Sequence, residues 1–538
     1  MSPERLDSAE RARHDAMMLR LLTPFPHFIA RPFLATATLC MLVVGCAGPA
    51  AKHGGDPEEK RVFSVALHNL TQRYIEPIDT GQTMIQGLAH LASIDDRLAI
   101  LGRDGAIAIT FEGNTIAEYA APAKDDIGEW ASLSAAIIRD ARSASASVVA
   151  QSQDSIYRSV FAGLIKNLDG YSRYLPPDDA RRSRATRDGY SGIGIKISVT
   201  DGEFIIHRVL ADRPAAAAGL KTNDQITQID GQPVKGLPLK EVRRLLRGDM
   251  GDTVRITVRR TDAPAPLNHD VIRDHIVPQS VTTRQSGSTL EIKLTIFNQG
   301  TVGAVRKAVV DAVRRMGSGL TEIVLDLRSN PGGLLDQAIA VADLFMENGR
   351  IVSTKGRHPD SNQIFDATPG EVLNGLPMVV LINGRSASAA EIVGVALRDS
   401  GRAAIVGSTS YGKGSVQTII RLPNQGEMNI TWARIMAPTG MTLASQGIVP
   451  AICTNLSPEK LQALKEKLAD PKKASGITAL PGFAPQASLS HFSADRRAAC
   501  PPSNAKPVHD LEIARLVLAN RDIYAVATAN PATKIAER

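Results

Sequence analysis

The sequence predicts an α/β multi-domain protein in which a small β-rich module lies between a helical region and a parallel α/β core. Two observations carry this prediction. A strand, a glycine turn and a helix follow one another twice within residues 322–397, and short strand-like runs with Gly and Asp turns fill residues 192–260. The length of 538 residues allows roughly three or four domains of about 150 residues each. With 43% hydrophobic and 22% charged residues, the composition is that of a globular protein.

The charge and the cysteine content exclude several function classes. The 62 Lys and Arg residues and 55 Asp and Glu residues give a formal net charge of +7, and the paired arginines are scattered along the chain. A nucleic-acid-binding stripe would cluster them, so the sequence favours a solvated surface and no nucleic acid as partner. The four cysteines have no CxxC spacing, and the sequence therefore predicts no metal site.

The amino terminus carries the features of an export signal. An apolar run over residues 33–44 leads into the sequence VVGC, which ends at Cys46. The run is too short for a membrane-spanning helix, which needs about 20 residues, but it suits a secretory signal. The ending resembles a bacterial lipobox, so residues 1–46 are predicted to be a lipoprotein-type signal peptide with Cys46 as the lipidated residue. The alternative is an ordinary signal peptide cleaved near Ala47 or Ala51.

Export would place the protein on the periplasmic side of a bacterial cell envelope, anchored in the membrane by the lipid. In that oxidising space, Cys453 and Cys500 are the cysteines outside the signal region. We therefore predict a disulfide between them. The alternative is two free buried thiols.

Residues 57–185 are predicted to be mainly helical, with an irregular insertion at about 95–150. Within this insertion, the alternating segment Ala106–Phe111 meets the turn-forming residues Glu112-Gly113-Asn114, which indicates a small hairpin. No function is readable in this region.

Residues 186–262 resemble a PDZ domain. Two helical segments, at residues 215–218 and 239–246, interrupt the strand-like runs. The resemblance covers the loop Gly192-Ile193-Gly194-Ile195, the segment Arg213–Leu220 and Ile229-Asp230-Gly231, with Asn223-Asp224 where the family usually has Gly-Asp. In such a domain the glycine loop offers amides to a terminal carboxylate while the peptide adds a strand to the sheet edge. The alternative is a β domain without a ligand.

Residues 280–455 are predicted to form the α/β core. The strand Glu322–Leu327, a turn at residues 328–333 and a helix form the first unit, and the strand Met378–Ile382 begins a second unit of the same kind. In parallel α/β folds, reactive groups gather where strands end and helices begin. Residues 456–538 are predicted to be a helical tail with an Ala/Pro-rich linker.

Two polar segments lie in the second half of this core. Residues 386–392, SASAAEI, begin the second helix, where serine side chains can serve simply as caps. Residues 411–417, YGKGSVQ, place a lysine between two glycines. Lys413 and Gln417 are an even number of residues apart, so they share a face if the segment is a strand. The alternative for Lys413 is a solvated lysine in a glycine turn.

Taken together, these blocks resemble the carboxyl-terminal processing proteases, also called tail-specific proteases, which are serine peptidases with a PDZ domain. The segments that carry the resemblance, in the family's order, are residues 168–175, the PDZ domain, 326–333, 386–392, 412–417 and 447–450. The resemblance implies a crotonase/ClpP-like α/β protease core with an inserted PDZ domain and a helical N-terminal region. The chain departs from the family pattern at Ala390, usually a third serine, and at Ala451, usually an aspartate.

The resemblance also implies the catalytic residues. Ser388 would be the nucleophile, Lys413, 25 residues later, the general base, and Gln417 the residue that orients the base. A lysine acts as a base only when it is neutral, so its pKa must lie below the usual value of about 10.4, and burial would lower it.

The oxyanion of the reaction would be met by the backbone amide of Ala389 and by one from Gly332 or Gly333. Each such donor is worth about 3 kcal/mol in the transition state. Asp399 is sometimes considered an auxiliary residue in this family. A carboxylate beside the amine would favour its charged form, so we interpret Asp399 as structural.

The predicted function is cleavage of exported proteins near their carboxyl terminus, with the PDZ domain recognising the substrate tail and with no cofactor. The partners are proteins or peptides with free carboxyl termini and the membrane, and a homo-oligomer or an adaptor protein stays open. The alternatives are a catalytically weak PDZ adaptor of the cell envelope and a different crotonase-like enzyme. The combination of Ser388, Lys413 and Gln417 argues against the first alternative, and the PDZ domain and lipobox argue against the second.

Overall fold

The computed structural model describes residues 56–470 and 494–529, so the predicted signal peptide and Cys46 lie outside the described residues. The first region is built from helices and a small sheet. In chain order its elements are α1 (Pro57–Arg73), α2 (Thr80–Ala89), β1 (Leu98–Arg103), β2 (Ala106–Phe111), β3 (Asn114–Ala120), α3 (Ile127–Ala144), α4 (Ala146–Val149) and α5 (Gln153–Ile165). The starts of α1 and α2 follow from local chemistry, because the carboxylates of Asp56 and Asp79 accept hydrogen bonds from amides of the first turn.

Residues 95–150, predicted from the sequence to be an irregular insertion, form regular strands and helices. Strands β1, β2 and β3 form an antiparallel sheet, and the 18-residue helix α3 follows. The hairpin between β2 and β3 turns at Glu112 and Gly113, whose φ values of 52° and 81° suit a tight hairpin turn. Ile107 and Ile109 are buried against the helices. The apolar run of β1 has no strict alternation, so its periodicity could not separate strand from helix.

A short strand and a helix lead into the PDZ region, which contains most of the next elements. In chain order these are β4 (Arg173–Leu175), α6 (Pro177–Arg187), β5 (Tyr190–Gly192), β6 (Ile195–Thr200), β7 (Glu203–Val209), α7 (Pro214–Ala217), β8 (Gln225–Ile229), β9 (Gln232–Pro233), α8 (Leu239–Leu246), β10 (Thr253–Arg259), β11 (Leu267–Ile272) and β12 (Asp274–Ile276). The sheet order is β11-β10-β8-β7-β6, so β6 is an edge strand. Both helices lie where the sequence predicts them.

Asn223 replaces the usual glycine of this domain without difficulty. Its φ is 71°, in the left-handed region that asparagine tolerates. The next residue, Asp224, is buried and its carboxylate pairs with the Arg260 guanidinium at 2.7 Å.

The α/β core contains two sheets. Its elements are β13 (Val281–Ser286), β14 (Thr289–Leu294), α9 (Thr301–Met316), β15 (Glu322–Asp326), α10 (Leu335–Asp343), β16 (Arg350–Lys355), β17 (Gln363–Asp366), β18 (Met378–Ile382), α11 (Ala389–Asp399), β19 (Ala404–Gly407), β20 (Ser415–Arg421), β21 (Glu427–Met436) and β22 (Ile452–Cys453). The main sheet has the order β13-β14-β15-β18-β19-β22 and is parallel from β14 onward. The two predicted strand–turn–helix units are β15–α10 and β18–α11.

The second sheet joins the core to the helical region. It has the order β17-β16-β21-β20, and β4, which precedes the PDZ domain in the chain, pairs with β21. Residues just ahead of the PDZ domain are thereby placed beside residues that lie more than 250 positions later in the chain.

The carboxyl-terminal helices cover one face of the main sheet. They are α12 (Pro458–Ala469), α14 (His509–Ala519) and α15 (Arg521–Thr528). The short helix α13 (Ala494–Ala499) lies between α12 and α14 in the chain. Cys453 at the end of β22 and Cys500 are joined in a disulfide with their Cα atoms 5.8 Å apart. Among the described helices, none is long and apolar enough to cross a bilayer.

Candidate active site

Ser388 lies in the sharp turn between the end of β18 and the start of α11. Its backbone has φ 54° and ψ −116°, a conformation that costs a non-glycine residue free energy. A strained turn between a strand and a helix exposes a nucleophilic side chain at the edge of a parallel sheet. Ser388 is partly exposed, whereas the helix that follows is buried.

The other serine of the segment, Ser386, is fully buried and engaged. Its hydroxyl donates to the Leu327 carbonyl at 2.8 Å and accepts from the Asn383 amide at 2.9 Å. The first bond joins the turns that follow β15 and β18, and the second closes the turn after β18. Ser386 thus holds the turn together, and Ser388 presents the accessible hydroxyl.

Lys413 precedes β20 and is half-buried. Its Nζ donates to Gln417 Oε1 at 3.1 Å and lies 5.2 Å from the centre of the Tyr171 ring. Burial lowers the pKa of the Lys413 amine, the positive charge of Arg173 lowers it further, and the carboxylates of Asp169 and Glu391 act in the opposite direction. The net direction favours the neutral amine.

The glycines beside Lys413 permit a close approach of backbone. A Cβ on Gly414 would lie only 1.9 Å from the Ala444 nitrogen, and Gly412 has φ 92°. Side chains at either position would force the loop away from residues 443–447.

The side-chain nitrogen of Gln417 is bound by a segment that precedes the PDZ domain in the chain. Its Nε2 donates to the Tyr171 carbonyl oxygen. An amide that donates through its nitrogen must present its oxygen on the other side, which is where Lys413 Nζ lies. Tyr171 therefore determines which atom of Gln417 faces the lysine.

Glu391 connects the serine turn to the lysine loop. Its side chain is completely buried, and Oε2 accepts hydrogen bonds from the Ser388 amide at 2.8 Å and the Lys413 amide at 3.0 Å. The other oxygen accepts from the Gly412 amide at 2.7 Å and the Ser410 hydroxyl at 2.6 Å. Burial raises the pKa of the Glu391 carboxyl, while these donors act to lower it.

A glycine turn packs directly on the serine turn. A Cβ on Gly332 would lie 2.8 Å from Ser388 Cβ and 3.0 Å from the Ala389 nitrogen. The Gly332 amide itself donates to Asn330 Oδ1 at 2.9 Å. Within residues 56–470 and 494–529, the amides of Ala389 and Gly333 have no hydrogen-bond acceptor, so these two are available to an oxyanion.

The family of this chain follows from comparison with known proteins. Residues 288–454 match peptidase family S41 and residues 205–260 match a PDZ domain. A carboxy-terminal-processing protease of Bartonella bacilliformis is 38% identical over 311 residues, which cover 57% of this chain and 72% of the relative. The chain belongs to the carboxy-terminal-processing proteases of family S41. It is a serine protease with a PDZ domain.

Other proteases of this family are similar over the same part of the chain. The carboxy-terminal processing protease CtpA of Bacillus subtilis is 31% identical over 306 residues, covering 56% of this chain and 65% of the relative. That of a Picosynechococcus species is 33% identical and is covered to 73% of its length. The solved structure of a photosystem II D1 C-terminal processing protease is 22% identical and covers 73% of this chain and 92% of its own, with a TM-score of 0.37.

In this S41 protease, Asp399 lies at the opposite end of α11 from Ser388. An eleven-residue helix is about 16 Å long, so the structure does not bring Asp399 to the lysine. Its carboxylate pairs with the Arg398 guanidinium at 2.7 Å and accepts from the Thr439 hydroxyl at 3.3 Å.

The predicted carboxylate loop of the protease's PDZ domain, Gly192–Ile195, leads from β5 into β6. At Gly194, φ is 82° and a Cβ would lie 2.5 Å from Arg213 Cβ, so glycine is required there. The Ile193 carbonyl accepts from the Ala215 amide at 2.9 Å, which closes the loop onto α7. The loop therefore lies at one end of β6, which pairs with β7 on one side and has no partner strand on the other among the described residues.

Sequence reasoning missed two residues of the protease site. Glu391 carried a usable signal, since a serine followed three residues later by a glutamate at a helix start is a capping-box pattern. Tyr171 acts through its backbone carbonyl and its ring position, and no sequence signal pointed to that.

Proposed function

We propose that this protease cleaves polypeptides near their carboxyl terminus, with Ser388 as the nucleophile and Lys413 as the general base. The observation that carries the proposal is the contact between Lys413 Nζ and Gln417 Oε1 in a buried setting that lowers the lysine pKa. A serine hydroxyl attacks a peptide only when a base removes its proton, and a lysine can do so only as the neutral amine.

The shared carboxylate of Glu391 brings the two residues within reach of each other. The backbone nitrogens of Ser388 and Lys413 bond to the same Glu391 Oε2 atom at 2.8 and 3.0 Å, so these two backbone nitrogens lie within about 6 Å of one another. Gln417 accepts one N–H of the amine, which leaves the nitrogen lone pair directed elsewhere. Catalytic contacts often tighten only when substrate binds, and the long lysine side chain can then turn its lone pair to Ser388 Oγ.

The reaction follows from these positions. Lys413 Nζ takes the Ser388 proton as Oγ bonds to the substrate carbonyl carbon, and the carbonyl oxygen becomes an oxyanion that the amides of Ala389 and Gly333 stabilise. Collapse breaks the peptide C–N bond, and the lysine ammonium returns its proton to the leaving amine. Lys413 then takes a proton from water as the water oxygen bonds to the acyl carbon. When the ester C–O bond breaks, the lysine ammonium returns the proton to Ser388 Oγ and the new carboxyl terminus leaves.

Replacing each serine separately tests this assignment. Ser388→Ala should lower kcat at least about 10³-fold on a peptide with a free carboxyl terminus, because the covalent step is lost. Ser386→Ala should mainly lower the free energy of unfolding, by about 1–2 kcal/mol, because it removes buried hydrogen bonds. Full activity in Ser388→Ala would refute the assignment.

The PDZ domain supports recognition of the substrate tail. The edge strand β6 can pair with an extended peptide, and the loop Gly192–Ile195 can receive its carboxylate. Amidation of the substrate terminus should therefore raise KM with little change in kcat. Equal cleavage of free and amidated tails would contradict tail recognition.

We also propose that the protease is exported to an oxidising compartment and is anchored in the membrane by a lipid on Cys46. The disulfide between Cys453 and Cys500 supports export, because disulfides persist in such compartments. Membrane fractionation tests the anchor. Wild type should sediment with membranes and Cys46→Ala should be released, whereas an equally soluble wild type would remove the lipoprotein interpretation.

A further inference from the structure

A groove runs between the edge strand β6 and the helix α8 of the PDZ domain. It holds a cavity of about 450 Å³ that starts at the carboxylate loop Gly192–Ile195. Ile193, Ile197 and Leu246 are among its apolar lining residues. A peptide that adds a strand to β6 would lie along this groove.

The charged lining of the groove is entirely cationic or basic. Lys196, His207, Arg243 and Arg247 line it, and no Asp or Glu does. Among the residues that the structure describes, neither arginine is paired with a carboxylate. Arg244, the next residue on α8, differs in both respects, because it bonds Glu241 at 2.6 Å and does not line the groove.

Arg247 marks the carboxylate end of the groove. A Cβ on Gly192, the first residue of the loop, would lie 2.8 Å from the Tyr190 ring, so that ring rests against the loop. The Arg247 guanidinium stacks over the same ring, 4.8 Å from its centre. A terminal carboxylate in the loop would therefore lie near Arg247.

Arg243 lies one helical turn farther from the loop. Four helical residues rise about 6 Å, which corresponds to about two residues of an extended peptide. Side chains of a strand alternate between faces, so the last residue and the second residue before it point the same way. If the last side chain packs near Leu246, the side chain two positions before it faces Arg243.

We propose that this groove selects tails with an acidic side chain two positions before the last residue, and that Arg243 recognises it. The ligand class is a polypeptide with a free carboxyl terminus, an apolar last residue and Asp or Glu at that position. This inference rests on the proposed tail recognition and adds the substrate class to it. The planar guanidinium of an arginine can donate two parallel hydrogen bonds to one carboxylate.

The test compares three fluorescent peptides that differ only at this position, with glutamate, glutamine or lysine. Binding is measured by fluorescence anisotropy to the full-length Ser388→Ala protein, and cleavage is measured with the wild type. The glutamate peptide should bind about fivefold more tightly than the glutamine peptide, and the lysine peptide should bind most weakly. The preference should shrink as salt is raised.

Variants assign the preference to one residue. In the Ser388→Ala background, Arg243→Ala should bring the glutamate-to-glutamine affinity ratio to about one, and Arg243→Glu should make the lysine peptide the preferred one. Arg244→Ala is the matched control and should keep the wild-type ratio, since it removes the same charge from the same helix outside the groove.

Two outcomes would overturn the inference, namely equal binding of the glutamate and glutamine peptides, or a glutamate preference that persists in Arg243→Ala. In either case, cleavage of free-tailed peptides with loss on amidation would leave the proposed function intact. Failure of the wild type to cleave any of these peptides would instead count against the proposed function.

Discussion

The carboxylate of Glu391 accepts a hydrogen bond from the backbone amide of Ser388 at 2.8 Å, and the same oxygen atom accepts from the amide of Lys413 at 3.0 Å. One buried side chain thereby sets the positions of the proposed nucleophile and the proposed base. Because it acts on their backbones and not on substrate, Glu391 is a positioning residue.

Glu391→Gln should impair both stability and turnover. Glutamine offers one acceptor oxygen where the carboxylate offers two, so some of the four donors lose their partner inside the protein. We expect the free energy of unfolding to fall by about 2–4 kcal/mol and kcat to fall at least about tenfold. Urea denaturation and steady-state kinetics on a free-tailed peptide measure the two effects.

The control is Glu427→Gln. Glu427 is also completely buried, and it pairs with the Arg184 guanidinium at 3.0 Å, away from Lys413. This variant should lose similar stability and keep its kcat at a temperature where it is folded. Wild-type kcat in Glu391→Gln under those conditions would contradict the positioning role.

Activity should be lost as the pH falls through the pKa of Lys413. Below that pKa the amine is protonated and has no lone pair for the Ser388 proton, and above it the base is competent. Because burial lowers this pKa, the acid limb of kcat/KM should lie below the range of an ordinary lysine. Lys413→Arg should be inactive at every pH tested, since a guanidinium stays protonated.

Arg173→Met offers a graded check of the same limb. The positive charge of Arg173 lowers the pKa of the Lys413 amine, so its removal should move the acid limb to higher pH. Arg173 is exposed and screened by salt, so the displacement should be below about one pH unit. An acid limb that stays in place with both Lys413→Arg and Arg173→Met would point to a different base.

Asp399→Asn should leave catalysis unchanged. The carboxylate lies at the far end of α11 and pairs with Arg398. Its replacement therefore removes a structural contact and should lower the free energy of unfolding by about 2 kcal/mol. The pH profile of kcat/KM separates the two roles. A displaced acid limb in Asp399→Asn would show that this carboxylate acts on Lys413 after all.

Removing the disulfide should destabilise the protease. The bond between Cys453 and Cys500 closes a loop of 47 residues, for which chain entropy predicts roughly 4 kcal/mol. The Cys453→Ser, Cys500→Ser double variant should unfold at correspondingly lower urea, and reductant should not destabilise it further. Recovery of both cysteines as free thiols from non-reduced exported protein would refute the bond.

The sequence predicted those parts of the fold that depend on patterns of neighbouring residues. The two strand–turn–helix units, the PDZ strands and the hairpin at Glu112-Gly113 all carry alternating apolar residues or turn-forming residues in sequence. In the 95–150 region the sequence predicted the hairpin of β2 and β3 but not the strand β1, because the apolar residues of β1 do not alternate with polar ones. The order of the strands in the main sheet had no local signal.

For the candidate site, the sequence by itself determined which chemistry is present: a serine at a helix start, a lysine between glycines 25 residues later, and a glutamine four residues beyond. Tertiary structure alone decided how they are arranged. It buried Ser386, turned Gln417 toward Lys413 through the carbonyl of Tyr171, and joined the serine and lysine segments through Glu391. These contacts link residues that are 22 to 246 positions apart, and a hydrogen bond between distant segments leaves no periodicity in either one.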